Sequence, residues 1–508
     1  MDRSEFKVGC SSARFGLDKE AIAMVGRCEL AGMAAFSERL VHAGERRRKS
    51  LTLSRIRRRM FRRHWILWLA FFFIALSTRP AAAQTRFIVR DRSGRPALHH
   101  ICARLGCSVQ KQIDDAGVVF LVTTPTTSVN FLEAIKGMPG IANAELDVNL
   151  QVETFETQAL PSGLNDTTMA NYFGQSVWDG YANQPAVGAI SLPLAQSSYG
   201  VTGTGIVAVI DTGVDPNHPV LQSVLLAGYD FTRNQSGGSE LADVNQSTMA
   251  VVDGDDVAQV NQSTMAVVDS DDVDTLSESQ LAAFGHGTMV AGIVHLVAPT
   301  ASIMPLKAFQ ADGTAHMSDV LRAIYYATRN NAKVLNMSFD FTGSSRELHA
   351  AIDHATSKGV VCVAAVGNGG QPLVVYPAGF PNVMGVASTS DDQTLSSFSN
   401  YGQPPVWVAA PGEGIITTYP FGTYAAGWGT SFSAPFVSGT VALLRSVNSN
   451  LNQQSAAQAI SNADYITPDL GHGLLDVNQA VGASNQTVQS APHSDDDDDF
   501  DQWFPPRQ

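Results

Sequence analysis

The chain reads as an α/β protein, an open sheet flanked by helices, with a small α+β unit ahead of it. Three observations predict this. "GIVAVID" and "GVVCVAAV" read as buried strands. "FGHGTMVAGIV" and "GTSFSAPFVSGTVALL" open apolar helices behind small residues. Finally, 508 residues at 44% apolar content suffice for one large domain with additions on either side.

The net charge of −14 hides a division. Residues 1–83 hold 17 Lys/Arg against 7 Asp/Glu, whereas the rest holds 16 against 40. So acidic a folding portion argues against nucleic acid or an anionic membrane as partner. The basic excess surrounds "RIRRRMFRRHWILWLAFFFIALSTRPAAAQ", where arginines precede an apolar run from Trp65 to Leu76 and small residues Ala81 to Ala83. That is the layout of a cleaved export signal, the alternative being an uncleaved anchor, and the run is short of the about 20 residues a spanning helix needs. Met60 stands where such a signal would begin, which makes residues 1–59 a dispensable extension and 60–83 the signal. The membrane enters this reading only through that signal, and the destination is extracellular.

Five cysteines (Cys10, Cys28, Cys102, Cys107 and Cys362) form no disulfide framework. Cys362 falls in a buried strand and reads as a packing thiol, with no basic neighbour or helix start to activate it. In residues 84–155, "FIVR", "GVVFLVT" and "AELDVNL" read as strands. "ALHHICARLG" and "SVNFLEAIKGM" read as helices, the second capped by Ser128 and stopped at Gly137. Residues 156–200 then read as linker and lead-in, 201–482 as the large domain with an acidic insert at 234–280, and 483–508 as a solvated acidic tail.

The chemistry sits in the large domain. The strand 206–210 ends on Asp211, at the edge where open α/β sheets place their sites. His286 stands between two glycines at a helix start. Ser431 heads a second helix, where unpaired amides favour developing negative charge, beside the small residues Gly429, Ser433 and Ala434. Taken singly, each has an ordinary explanation: a turn carboxylate, a loop histidine, an N-cap hydroxyl. Together, in the order Asp, His, Ser, they match one known arrangement of the hydrolytic triad. Asn368, after the strand in "VAAVGNGG", adds an amide able to donate to an oxyanion.

These motifs, "AVIDTGVD", "GHGTMVAG", "AAVGNGG" and "GTSFSAP", resemble those of subtilisin-like serine endopeptidases, the subtilases, over about 201–481. The resemblance implies a three-layer sandwich with a mostly parallel central sheet, made as a zymogen. Residues 87–153 resemble the inhibitory propeptide of that family, which assists folding and is removed by self-cleavage. Asp211, His286 and Ser431 would then be the triad, with Asn368 and the Ser431 amide as the oxyanion hole. His472 and His295 are packing residues, not rival bases. The family's substrate lies as an added strand beside Ser338, Phe339 and Asp340 on one side and the segment after Gly313 on the other. Phe339, Asp340 and Phe341 depart from the usual Leu/Gly–Gly there, so they narrow the S1 pocket, favour a basic P1 side chain if Asp340 faces in, or point away; the expectation is a weak tilt against very bulky acidic P1 residues. The expected enzyme is a monomer acting on proteins or peptides, with no cofactor. Structural Ca²⁺, common in the family, maps onto no matching residues. The alternative is a secreted peptide- or Ca²⁺-binding protein on the same scaffold, but "VVDGDD" and "VVDSDD" fit neither an EF-hand loop nor a β-helix repeat.

Between Asp211 and His286, "VNQSTMAVVDGDDV" (244–257) returns as "VNQSTMAVVDSDDV" (260–273), with only Gly254 and Ser270 differing. Near-identity of this kind is expected of a recent duplication carried in a surface loop, where added length costs little; the other reading is a lid or exosite beside the non-primed subsites. Deleting residues 244–259 joins Asp243 to the second copy and is expected to leave peptidase activity largely intact; loss of folding or turnover in the deletion variant would overturn this.

Overall fold

The computed structural model describes residues 84–125, 128–151, 160–244 and 281–489. The signal segment, the repeat from 245 onward and the acidic stretch beyond 489 lie outside the described residues. Eight strands form the central sheet, in spatial order Gln235–Ser236, Tyr229–Asp230, Ser302–Lys307, Ile206–Asp211, Val334–Met337, Val361–Ala365, Met384–Thr389 and Val406–Pro411. Every neighbouring pair is parallel except the first two-residue edge.

Alternation along these strands divides the core into two layers. Val207, Val209, Val361, Val363 and Val386 face the helices His286–Val297 and Thr430–Val447. Ala208, Ile210, Leu335, Cys362 and Ala364 face the helices Met317–Arg329 and Arg346–Ser357. Both faces are covered, which is why the strands read as unbroken apolar runs. The result is the three-layer α/β sandwich. From Ile206–Asp211 the sheet grows one way through Ser302–Lys307 and the other way through Val334–Met337. Strand order therefore reverses at Asp211, and ligands of open α/β sheets bind at such a reversal.

The N-terminal unit has its own four-stranded antiparallel sheet, ordered Ser108–Gln112, Val119–Thr124, Thr85–Asp91, Ile141–Leu146. Phe87, Val89, Phe120 and Val122 pack under its two helices, while Ile88, Val119 and Leu121 turn the other way onto the large domain. Polar contacts there fall on two helix starts, where amides lack intrahelical partners. Asp147 accepts from the Ser318 amide at 2.7 Å, the Ser318 hydroxyl at 2.8 Å and Arg86 Nε at 2.7 Å. Glu145 accepts from the Arg346 amide at 3.2 Å and from the Ser345 hydroxyl. Arg90 pairs with the buried Glu347 at 2.6 Å.

Several expectations change on contact with the structure. "AELDVNL" is two strands, Ile141–Leu146 and Asn149–Gln151, because Asp147 leaves the sheet to cap a helix. Ser108–Gln112 adds a strand the pattern did not suggest. Cys102 and Cys107 form a local disulfide. The described part of 156–200 is no free linker: Tyr181, Val187, Ile190 and Leu192 belong to the main core. Ordered structure continues past 234 to Val244, since the Glu240 side chain is wholly buried. The closing helix Val477–Gln489 runs beyond 482, with Ser484 buried against the domain.

Asp147→Ala strips the Met317–Arg329 helix of its cap and Arg86 of its carboxylate partner. The expected cost is about 1–3 kcal/mol, read as a lower unfolding midpoint of the full chain carrying Ser431→Ala as background; an unchanged midpoint would show the cap to be idle.

Candidate active site

Asp211 ends its strand 2% exposed, with one carboxylate oxygen accepting from the Thr212 amide at 2.7 Å and from His286 Nδ1 at 2.6 Å. A carboxylate can only accept, so Nδ1 carries the proton and Nε2 is the acceptor nitrogen. His286 is fully buried, and its Nε2 has no hydrogen-bond partner among the described residues. The approach of the two segments depends on glycine. Gly285 has φ 89°, and a Cβ there would lie 2.2 Å from the Tyr419 ring. At Gly287 a Cβ would meet the Gly213 carbonyl oxygen at 2.0 Å.

Ser431 lies in the first turn of Thr430–Val447, 6% exposed. Its hydroxyl donates to the Ser338 carbonyl at 3.0 Å, and the Ser338 hydroxyl donates back to the Ser431 carbonyl at 2.8 Å. The bond expected from Ser431 to His286 is thus replaced here by one to Ser338. A looser serine–histidine contact is common in structures without substrate. Asn368 is 8% exposed, and its side-chain oxygen accepts from the Thr430 amide at 2.7 Å and hydroxyl at 2.9 Å. This fixes which end of the amide is the donor end.

The residues expected to line the cleft divide. Asp340 pairs through its backbone with Gln151, and its carboxylate lies against Gly367, where a Cβ would come within 2.9 Å of Oδ2. Gly313 makes a turn of φ 81° into Thr314–His316, the strand that pairs with Asn149–Gln151. Phe339 is 2% exposed with its ring 5.0 Å from that of Phe309. It points into the core and does not narrow a pocket, because alternation puts its side chain opposite to those of its neighbours.

Three functional neighbours escaped the sequence. Asn400 holds the Asn368 loop, donating to the Val366 carbonyl at 2.9 Å and accepting from the amides of Gly369 and Gln371 at 3.1 and 3.2 Å. The fully buried Lys307 donates to the Thr212 and Phe309 carbonyls at 2.7 Å and to Asp243 at 2.5 Å. Burial pushes the Glu240 carboxyl up to about 8, well above the usual carboxyl range, against the pull of Thr288, the Gly285 amide and Lys307 and with Asp211 reinforcing it. Nothing in "SFSNYG", "MPLKAF" or "GSELAD" marked these positions. Among the described residues no group of three His, Cys, Asp or Glu could hold a metal ion.

Known proteins agree with this architecture. Residues 203–488 match the Subtilase family, peptidase family S8. Thermitase of Thermoactinomyces vulgaris is 33% identical over 261 residues, 49% of this chain and 78% of that protein. Subtilisin BL of Lederbergia lenta is 31% identical over 300 residues, 56% and 94% respectively. The crystal structure of fervidolysin from Fervidobacterium pennivorans, described as a keratinolytic enzyme related to subtilisin, superposes with TM-score 0.61 at 23% identity. That match covers 80% of this chain and 62% of the other, and shows the shared fold. With its parallel sheet reversing at Asp211, the buried Asp211–His286 pair and the family match over the large domain, this chain belongs to the subtilases, the subtilisin-like serine endopeptidases.

Proposed function

We propose that the chain hydrolyses peptide bonds with Asp211, His286 and Ser431 as triad and Asn368 as oxyanion donor. The observation that carries this is the 2.6 Å Asp211–His286 bond at the sheet's reversal point, with Nε2 left as the acceptor. Ser431 Oγ attacks the scissile carbonyl carbon and His286 Nε2 takes its proton. Asp211 holds the Nδ1–H tautomer and balances the imidazolium. The oxyanion lies between the Asn368 side-chain amide and the Ser431 backbone amide. As the tetrahedral intermediate collapses, His286 passes its proton to the departing amine. Water, deprotonated by the same imidazole, then releases the acyl group from Ser431.

The same reading makes residues 84–155 a self-inhibiting propeptide of a secreted zymogen. Its support is the seating of Asn149–Gln151 as a strand beside Thr314–His316, with Gln151 also bridged to Asp340. An extended substrate would pair with that sheet edge in the same way. Leu150, 2% exposed, anchors the strand among Ala315, Met317 and Phe339. Export rests on the arginine-led apolar run at 55–83. Substrates are proteins or peptides bound extended, and the proposed enzyme needs no cofactor and acts as a monomer.

A fluorophosphonate probe is expected to label the processed protein, with labelling reduced to background in Ser431→Ala. Processed wild-type protein that takes up no probe would refute the triad.

A further inference from the structure

One buried carboxylate takes no part in the chemistry above. Glu240 lies on the stem that leads into the acidic insert, yet it is 0% exposed. One oxygen accepts from the Gly285 amide at 2.7 Å, the residue before His286, and from the Thr212 hydroxyl at 3.3 Å, the residue after Asp211. The other oxygen meets the Thr288 hydroxyl, two residues after His286. Each hydroxyl is held from behind by a backbone amide: Gly287 donates to Thr212 at 3.0 Å and Asp215 donates to Thr288 at 2.8 Å. With a lone pair so engaged, each hydroxyl has its proton directed to Glu240.

The backbone is drawn into the same junction. Gly238 accepts from the Val214 amide at 2.8 Å, and a Cβ at Gly213 would lie 2.7 Å from the Glu240 amide nitrogen. The stem therefore presses on the turn after Asp211 while its carboxyl group grips the turn around His286. Burying a carboxyl group is costly unless its partners are fixed, and here they come from both catalytic segments. Lys307, Asp211 and Tyr419 are the other titratable groups acting on it or feeling it.

We infer that Glu240 is a positioning residue, clamping Thr212, Gly285 and Thr288 so that Asp211 and His286 keep their alignment during turnover. This rests on the triad reading. Glu240 touches no substrate, so its effect must appear in kcat while substrate binding is spared. Misplacement of catalytic groups by about 1 Å costs on the order of 100-fold in rate.

The test compares purified wild type, Glu240→Ala, Glu240→Gln and the double variant Thr212→Val/Thr288→Val. Fluorophosphonate titration counts competent sites, and circular dichroism reports folding. Per titrated site, Glu240→Ala is expected to lose about 30- to 100-fold in kcat on a quenched peptide, with KM within about three-fold. Glu240→Gln keeps the size of the side chain but only one of its two acceptor oxygens, so it should hold one of the two grips and lose less than alanine, about ten-fold or under. If Glu240→Ala does not fold, the threonine double variant carries the test, with a loss of about ten-fold in kcat expected. Wild-type kcat per site in the variant that folds, a change confined to KM, or a Glu240→Gln loss as deep as that of alanine would each overturn the inference. Failure of wild type itself to take the probe would instead sink the triad reading, so the two failures are distinguishable.

Discussion

The bond from Asp211 to His286 organises this molecule. A carboxylate at the end of a central strand is cut off from water, and only fixed donors make that placement tolerable. The Thr212 amide and the imidazole supply two at 2.7 and 2.6 Å. To bring the imidazole there, the chain must return after 75 residues and start a wholly buried helix against the sheet. The glycines at 285 and 287 leave room for that return, and the Lys307 amine beside it donates to the Thr212 carbonyl and to Asp243 on the stem.

The junction also governs where extra chain can be added. Asp243 is held by Lys307 and Arg233, and Glu240 by both catalytic turns. The acidic repeat begins at Val244, one residue beyond Asp243. A long loop costs little entropy once its ends are fixed, and the contacts of Asp243 and Glu240 fix the near end of this one.

The N-terminal unit docks by a different balance. Its apolar contact is one face of a small sheet, complemented by carboxylates on two helix starts and a short added strand. Such contacts are specific because helix amides point one way and a sheet edge has one register. Glu145 is partly desolvated in this interface, and burial raises its affinity for a proton. Such a unit keeps a core of its own beside the shared one: Phe87, Phe120 and Phe131 remain in a separate cluster, while Ile88, Val119 and Leu121 join that of the large domain.

Much of this was legible in the residues alone. Buried strands, helix starts, the order Asp211, His286, Ser431 and the placement of Asn368 follow from signals spanning a few residues, and local backbone preferences write such signals directly into the chain. What the tertiary structure decided concerns partners far apart in sequence. Glu240 looks like any acid of the insert until Thr212 and Thr288 are seen around it, and Lys307 like a surface lysine until Asp243 arrives. Phe339 could face the cleft or the core, and strand alternation against Phe309 settled it. Asp147 sat inside an apparent strand, yet the open amide of Ser318, 171 residues away, drew it out to cap a helix. Local chemistry thus marked the candidate groups, while packing between distant segments specified what holds them in place.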